Sequence, residues 1–399
     1  MAHPIAEDAP LRTAEPRVSF LNDPVKRGLL VQFVLLVLVV GFFAWIVTNT
    51  AENLQRANIA SGFGFLDYRA GFDIAQSVVP YSQDASYGYA LLVGFINTLV
   101  VAVLGVVIAS FIGLLVGIGR LSSNWLVRQI STAYVETFRN IPPLLVIFFW
   151  YFGVLAVLPQ PRDALSLGFG FSLSNRGMFT PRPLFEPAFW VVVAGFAVGI
   201  AMTVAFSAWA RRKQMRTGQQ TRVLPAALAL IVGLPLVLFV LAGSPMSLEF
   251  PQQTRFNLVG GLQVKPEFIA LMLALSIYTA AFIAEIVRAG ILAVSHGQTE
   301  AAHSLGLRPG PTLRLIVIPQ ALRVIIPPLT SQYLNLTKNS SLAVAIGYPD
   351  LVSVGGTILN QTGQAVEIVI IWMAVYLGIS LATSLFMNWF NRRVALVER

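Results

Sequence analysis

Long runs of apolar residues constrain this chain more than any other feature of its sequence. Several of them, among them residues 89–119 and 366–390, reach the roughly 20 residues that a helix needs to cross about 30 Å of hydrocarbon. Charged residues make up only 11% of the chain, whereas soluble domains carry about 25%. The sequence therefore predicts an all-α, polytopic membrane protein.

The hydropathy pattern predicts about eight transmembrane helices. The first is too long and begins too late for a cleaved signal peptide, so we expect a retained anchor. In the second, Gly105, Ala109, Gly113 and Gly117 recur every four residues, and such a stripe lets a neighbouring helix approach closely. The predicted spans are residues 29–47, 89–119, 134–158, 189–209, 224–242, 268–294, 322–347 and 366–390.

Charge distribution predicts the orientation of these spans. Lys and Arg are more frequent at the two ends of the chain and in the loops on the same side than in the opposite loops. By the positive-inside rule, both termini and the loop 295–321 are expected in the cytoplasm. The net charge of +9 thus indicates membrane topology, and it gives no signal for nucleic-acid binding.

The residue types that are missing exclude several kinds of chemistry. The chain has no Cys, which excludes disulfides, thiolate metal sites and cysteine nucleophiles. Its three His residues do not form an H-E-x-x-H pattern, so we expect no metal site and no catalytic residues. No Gly-Lys dipeptide occurs, so the chain lacks a P-loop lysine. If ATP drives this protein, a separate subunit must hydrolyse it.

A wettable stretch interrupts the apolar pattern at residues 300–319, EAAHSLGLRPGPTLRLIVIP. Residues 298–305 are rich in Ala and predict a two-turn helix, which Gly306 can end in a left-handed conformation. Pro309 and Pro311 suit a turn and the start of a second helix near Thr312. We therefore predict two short helices that meet at a right-angled break. Both helices would face water, where a soluble partner protein can bind them.

This stretch resembles the signature cytoplasmic loop of importer-type ABC transporter permeases. The loop pattern begins E-A-A, continues through a Gly, and ends in I-x-L-P. Ile318 stands where Leu is usual. The resemblance implies that the loop docks into an ATP-hydrolysing subunit and transmits its motion to the membrane helices. The matching residues are Glu300, Ala301, Ala302, Gly306, Ile316 and Pro319, and all but Ile316 are the candidate coupling residues.

Three further stretches are similar to polar amino-acid permeases: GFINTLVVAVLG, SIYTAAFIAEIVRAGI and LTKNSSLAVAI. The resemblance implies a type I importer core of five helices, with an N-terminal span and a two-span insertion added. The enlarged middle resembles the general L-amino-acid permeases of Gram-negative bacteria. The expected segments are a cytoplasmic tail (1–27), an extra span and periplasmic loop (28–87), the first core part (88–158), the insertion (159–264), the second core part (265–391) and a cytoplasmic tail (392–399).

Three ionisable residues are expected inside the membrane: Glu285, Arg288 and Lys338. Each costs roughly 2.5–3.5 kcal/mol at a helix centre and therefore needs a partner or an aqueous cavity. Glu285 and Arg288 are three residues apart and can pair. Two hypotheses remain: a buried network that holds the core helices in register, or a midplane site for the ammonium and carboxylate of a substrate. The candidate substrate-pathway residues are Lys338, Asn339, Ser340, Glu285, Arg288, Asn97 and Thr98.

The resemblance implies the permease subunit of an ATP-driven importer in the bacterial inner membrane, which carries polar, acidic or a broad range of L-amino acids from periplasm to cytoplasm. It also implies a second homologous permease, two ATP-binding subunits that hold ATP and Mg²⁺, and a periplasmic amino-acid-binding protein. The chain itself would bind no cofactor and would not be an enzyme.

Two other classes of protein were weighed against this hypothesis. A secondary transporter driven by an ion gradient would be expected to show inverted repeats and intramembrane carboxylates. We see no internal repeat, and Glu285 is the only carboxylate deep in a predicted span. A membrane-embedded enzyme would need a His, Cys or paired-carboxylate group near the bilayer, and the sequence offers none.

Overall fold

The computed structural model describes residues 24–56, 61–255 and 257–394. Most of the predicted N-terminal tail (residues 1–23) and most of the C-terminal tail (residues 395–399) lie outside the described residues. The described chain is largely helical, which confirms the all-α fold class. Its α-helices are α1 (Pro24–Arg56), α2 (Tyr87–Gly119), α3 (Trp125–Asn140), α4 (Pro143–Phe148), α5 (Phe189–Thr217), α6 (Val223–Leu228), α7 (Leu234–Leu241), α8 (Pro266–Leu292), α9 (His296–Ser304), α10 (Pro309–Thr312), α11 (Ile318–Asn339), α12 (Leu351–Thr362) and α13 (Ala365–Val394).

Short 3₁₀ and π-helical segments extend or join these helices. Seven of the described helical stretches are long and apolar enough to cross a membrane, or eight if one bent pair counts as a single span. Two of the seven, Val223–Leu241 and Pro309–Ile346, join several segments end to end, and so does the second half of the bent pair. The 3₁₀ segments are Phe63–Asp67, Pro161–Asp163 and Ser340–Ile346, and the π-helical segments are Phe149–Leu155, Ala229–Gly233 and Leu313–Val317.

The bent pair corresponds to the third span predicted for residues 134–158, and its bend lies at Pro142 and Pro143. Helix α3 begins at Trp125, and its axis makes an angle of 110° with that of α4 and its π-helical extension. Ile141 is extended (φ −102°, ψ 132°) because the residue before a proline is pushed out of the helical region. Pro143 then begins α4, where a missing N–H costs nothing.

Short β-strands occupy the loops on either side of the α5–α7 hairpin, where the sequence predicted only loop. A four-stranded antiparallel sheet has the order β1-β2-β3-β8, and β4–β5 and β6–β7 form two-stranded ribbons. The pairing of Met178 with Val264 joins segments far apart in sequence, so no local pattern predicts it. The strands are β1 (Leu165–Gly168), β2 (Phe171–Ser174), β3 (Gly177–Thr180), β4 (Arg182–Phe185), β5 (Met246–Glu249), β6 (Gln252–Gln253), β7 (Leu258–Val259) and β8 (Leu262–Val264).

Helix α8 lies at the centre of the core and packs against α2, α3, α4 and α11. The predicted small-residue stripe of α2 faces it: a Cβ on Gly117 would lie 2.7 Å from the carbonyl oxygen of Ala284, and one on Gly113 would lie 2.6 Å from Cγ2 of Ile283. Both distances are too short for any side chain, so these glycines set how closely the two backbones approach.

The added helices lie at the edge of this core. Helix α5 packs against the α6–α7 segment, where Gly195 and Gly199 allow close contact with Leu238 and Leu230. None of the most apolar stretch of α1, and none of that of α6–α7, is buried against other described residues. These helices therefore present apolar surface on nearly every side, as expected for helices surrounded by lipid.

Candidate functional site

The predicted water-facing element is present and centres on α9. Gly306 follows it with a positive φ of 77°. The N–H of Gly306 donates to the carbonyl of His303 and the N–H of Leu307 donates to that of Ala302, at 2.9 and 3.1 Å. This pair of bonds is the Schellman arrangement, which satisfies the last carbonyls of a helix when a left-handed residue ends it.

The second helix of the element differs from the prediction. It begins at Pro309, not near Thr312, and it is not short. Through the π-helical segment Leu313–Val317 it continues into α11, so that residues 309–346 form one membrane-length stretch. Pro319, a candidate coupling residue, lies where the π-helical segment passes into α11, and its ring nitrogen donates no helical hydrogen bond there. Helix α9 is therefore joined directly to α8 on one side and to α11 on the other.

Among the candidate coupling residues, Ala302 lies on the buried face of α9, whereas Glu300, Ala301 and Gly306 are exposed and Pro319 is half-buried. Sequence reasoning missed Leu305, whose side chain is 82% exposed at the end of α9. The sequence feature that could have indicated Leu305 is an apolar side chain next to the capping glycine of a polar helix. A large exposed apolar residue is a suitable anchor for a protein partner.

Glu285 of α8 lies at the centre of a charged cluster. Its carboxylate is 2.6 Å from the Arg288 guanidinium and also accepts a hydrogen bond from Arg120 at the end of α2. Arg120 in turn is 3.6 Å from Glu136 of α3. The pairing of Glu285 with Arg288 was expected, whereas no pattern in the sequence indicated that Arg120 and Glu136 would join them. The cluster joins three core helices.

Lys338 takes no part in this cluster, contrary to the network hypothesis that grouped it with Glu285 and Arg288. It is exposed on α11, and no ion pair involving it occurs within residues 24–56, 61–255 and 257–394. Arg120 contacts Glu285 because α2 ends beside that residue. Lys338 lies near the C-terminal end of the long α10–α11 stretch, the end farther from α9 in the chain.

A cavity of about 260 Å³ lies between α8 and α11. Its volume is close to the roughly 300 Å³ at which ligand pockets begin, so it suits a small solute. Asn339, a candidate pathway residue, lines it. Sequence reasoning missed Gln332 and Asn335, although with Asn339 they recur at i, i+3 and i+7 on one helix face. The other lining residues are Pro143, Tyr278, Thr279 and Phe282.

The charged cluster and the cavity are adjacent along α8. Phe282, which lines the cavity, is three residues before Glu285, and the guanidinium of Arg139 lies 5.6 Å from the centre of its ring. Arg139 belongs to α3, the helix that also carries Glu136. A movement of the cluster would therefore reach the cavity wall through one helical turn.

Asn97 and Thr98, both candidate pathway residues, are buried away from this cavity. The Asn97 amide donates to the carbonyl of Pro349 at 2.9 Å, and the Thr98 hydroxyl accepts from the N–H of Leu351 at 3.1 Å. Ser340 is also buried and donates to the carbonyl of Thr337 at 2.7 Å. Asn97 and Thr98 hold in place the segment between α11 and α12.

Asp350 lies in the same segment, and the sequence did not single it out. Its side chain is completely buried, and one carboxylate oxygen accepts the N–H of Ser353 at 2.8 Å, which caps α12. The other oxygen has no hydrogen-bond partner among the described residues. Burial raises the pKa of Asp350 to about 7, because an ionised carboxylate loses its hydration there.

Within the described part of the chain, no three His, Asp or Glu side chains come together in a way that could hold a metal ion. The polar groups described above are instead amides, hydroxyls and ion-paired guanidinium groups. Such groups can hydrogen-bond a solute or fix a helix.

Comparison with known proteins gives consistent matches. Residues 195–396 match the family described as binding-protein-dependent transport system inner membrane component. The chain is 56% identical over 400 residues to the general L-amino acid transport system permease protein AapQ of Rhizobium johnstonii, covering 100% of both chains. It is 42% identical to the glutamate/glutamine/aspartate/asparagine transport system permease protein BztB of Rhodobacter capsulatus, over 99% of this chain and 100% of that protein.

A solved structure, the crystal structure of an amino acid ABC transporter with histidines, is similar over 77% of this chain and 95% of that chain. The identity is 23% and the TM-score 0.46.

Proposed function

The chain belongs to the family of binding-protein-dependent transport system inner membrane components, and from that membership we propose how its parts carry L-amino acids across the membrane. It is the membrane-embedded permease subunit of an ATP-driven importer, and it is not itself an enzyme. ATP is hydrolysed by partner subunits, which hold the nucleotide and Mg²⁺.

We propose that α9 is the point of contact with the ATPase. The supporting observation is its attachment: α9 is exposed on one side and is joined by three residues to α8 and by four to the α10–α11 stretch. Helices α8 and α11 both line the cavity. Glu300, Ala301 and Leu305 would enter the ATPase surface, while Gly306 and Pro319 fix the direction of the element. Movement of α9 then displaces both cavity walls at once.

We further propose that the polar face of α11 forms part of the substrate path. Gln332, Asn335 and Asn339 offer amide donors and acceptors to an amino acid. Lys338, which precedes Asn339 in the chain, is exposed and would attract the carboxylate of the amino acid. In this proposal Glu285 and Arg288 act as a structural link between helices. Ser340, Asn97 and Thr98 act indirectly, because their hydrogen bonds fix the chain around the end of α11.

The complete assembly would contain a second homologous permease, two ATP-binding subunits and a periplasmic amino-acid-binding protein. Helix α8 has 27 residues, about 40 Å at 1.5 Å per residue. It runs from strand β8 at one end to α9 at the other, so the sheet and α9 lie on opposite membrane faces. We propose that the α9 face and both termini are cytoplasmic, and that the sheet is periplasmic.

The segment boundaries follow the same proposal. Residues 88–158 and 265–391 would form the importer core, and residues 28–87 and 159–264 would be additions to it. The low burial of α1 and of the α5–α7 hairpin supports this division for the added helices. Residues 63–87, in contrast, pack against α2, α12 and α13 through Phe65, Ala70 and Ile74.

The experiment is uptake of labelled glutamate into sealed vesicles that contain the complete complex and internal ATP. The variant Asn339→Ala should lower uptake and substrate-stimulated ATP hydrolysis at least about tenfold, because it removes an amide from the path. Gln220→Ala, which removes an exposed amide that does not line the cavity, is the matched control.

Unchanged substrate dependence in Asn339→Ala would contradict the substrate path but not the importer role. Uptake driven by an ion gradient, without ATP or an ATPase subunit, would contradict the importer role itself.

A further inference from the structure

The end of α5 is unusually basic and extends beyond the length that a membrane requires. The helix has 29 residues, about 43 Å, whereas the hydrocarbon core is about 30 Å thick. It begins at Phe189 directly after the β4–β5 ribbon, so the excess length is at the Thr217 end. Cations and Trp209 occupy that end, in the order expected where a helix leaves the hydrocarbon.

All charged side chains around the end of α5 are positive over a long stretch of the sequence. Residues 187–248 contain no Asp and no Glu. No salt bridge pairs these cations with a carboxylate within the described structure. Positive charges without carboxylate partners are available for an anionic ligand. The cations of this stretch are Arg211, Arg212, Lys213, Arg216 and Arg222.

Three of these cations share one helix face. Ala208, Arg211, Arg212, Met215 and Arg216 recur at i, i+3, i+4, i+7 and i+8, and they line a groove of about 420 Å³. We call this groove the arginine face. Met215 is 84% exposed and, with Ala208, supplies apolar surface between the guanidinium groups.

Topology alone does not require this arrangement. The positive-inside rule is satisfied by Lys and Arg anywhere near a span end, in any rotation about the helix. Three guanidinium groups on one face, with apolar surface between them, match a ligand that has both a phosphate and hydrocarbon. Guanidinium groups bind phosphate oxygens in a bidentate manner, which gives them an advantage over ammonium groups.

The position of the hairpin identifies that ligand as a lipid. Helix α5 packs mainly against the α6–α7 segment, and little of the most apolar stretch of either is buried. Lys213 lies over the ring of Trp209 at 5.4 Å, at the level where an aromatic ring and headgroups meet. We propose that the arginine face binds the headgroup phosphate of an anionic phospholipid and thereby anchors the inserted hairpin.

The test compares lipid retention by the full-length chain in nanodiscs made with phosphatidylglycerol or with phosphatidylcholine, measured by native mass spectrometry. Wild type should retain phosphatidylglycerol preferentially, and R212Q/R216Q should lower that retention by about tenfold or more. R212K/R216K keeps both charges without the bidentate geometry and should give an intermediate value. Excess inorganic phosphate should not displace the lipid.

The matched control is R392Q/R393Q, which removes two charges from the end of α13, where Arg393 lies over Trp389 at 5.4 Å. It should retain the lipid as wild type does. Equal retention by wild type and R212Q/R216Q would overturn the proposal, and so would equal loss in the control. Loss of ATPase copurification from R212Q/R216Q with unchanged lipid retention would show that the arginine face binds protein instead. Thermal melting of each variant shows whether it is folded.

Discussion

Individual residues at the junction of α2, α3 and α8 show which charges the fold depends on. The side chains of Arg120 and Glu285 are only 12% and 25% exposed, so solvent screens their interaction weakly. Removing one partner leaves the other partly buried with a single remaining partner, Arg288 for Glu285 or Glu136 for Arg120. Such a partly buried charge costs more than the pair contributes. We therefore expect the junction of these helices to be destabilised when either Arg120 or Glu285 is removed alone.

We expect R120Q and E285Q each to destabilise the protein by about 1–3 kcal/mol, and the double variant R120Q/E285Q to lose less than the sum. Thermal unfolding in detergent measures all three. The control is the cycle R69Q/D84N, because Arg69 and Asp84 form a 2.7 Å pair whose side chains are 67% and 78% exposed. That pair should couple by about 1 kcal/mol or less. Additive losses at Arg120 and Glu285 would refute the role of the cluster.

Residue patterns predicted some of this site and not the rest. The spacing of Glu285 and Arg288 predicted their ion pair, because two positions three apart share a helix face. The contact between Arg120 and Glu285 depends on how closely α2 approaches α8, and a single sequence does not contain that distance. The same reason explains why Lys338 was wrongly grouped with them.

Among the elements, the segment between α11 and α12 is held from several directions. Asn97 and Thr98 of α2 bond its backbone, and the Trp372 indole donates to the carbonyl of Leu351 at 3.1 Å. Asp350 caps α12 within this segment. A carboxylate whose pKa is raised by burial favours the folded state when it is protonated.

The raised pKa of Asp350 determines the direction in which stability changes with pH. The stabilising contribution of Asp350 is fully present below its unfolded pKa of about 4 and is lost as the pH rises through about 7. The variant D350N keeps the capping oxygen without a charge. Its melting temperature should fall less than that of wild type between pH 5 and pH 8. Parallel profiles for the two proteins would show that Asp350 is not buried as described.

Element boundaries were predictable where a local rule decides them. Gly306 ended α9 as its position predicted, because few other residues adopt a positive φ without strain. The start at Pro309 and the continuous passage into α11 were not predicted. The two prolines suggested a break, yet both lie in a first turn, which tolerates them. The pairings of β3 with β8 and of β4 with β5 were missed because the partners are remote in sequence. The hairpins β1–β2 and β2–β3 are local, and the prediction of a loop missed them as well.

For the whole molecule, the apolar runs and the loop around Glu300 were sufficient to predict the fold class, the family and the importer role. They do not show how α9 is coupled to the cavity, which depends on the arrangement of α8 and α11 around it. We propose that α9 transmits motion from the ATPase to α8 and α11, because this exposed helix is joined to both walls of the solute path.

The most direct test of the proposed contact between α9 and the ATPase subunit is site-directed crosslinking. The chain contains no Cys, so Leu305→Cys provides a single thiol, which can carry a benzophenone label. Phe169→Cys is the control, because Phe169 is 94% exposed at the β1–β2 turn, beyond the opposite end of α8. We predict that the label at position 305 captures the ATPase and the label at 169 does not. Capture at 169, or none at 305, would contradict the account.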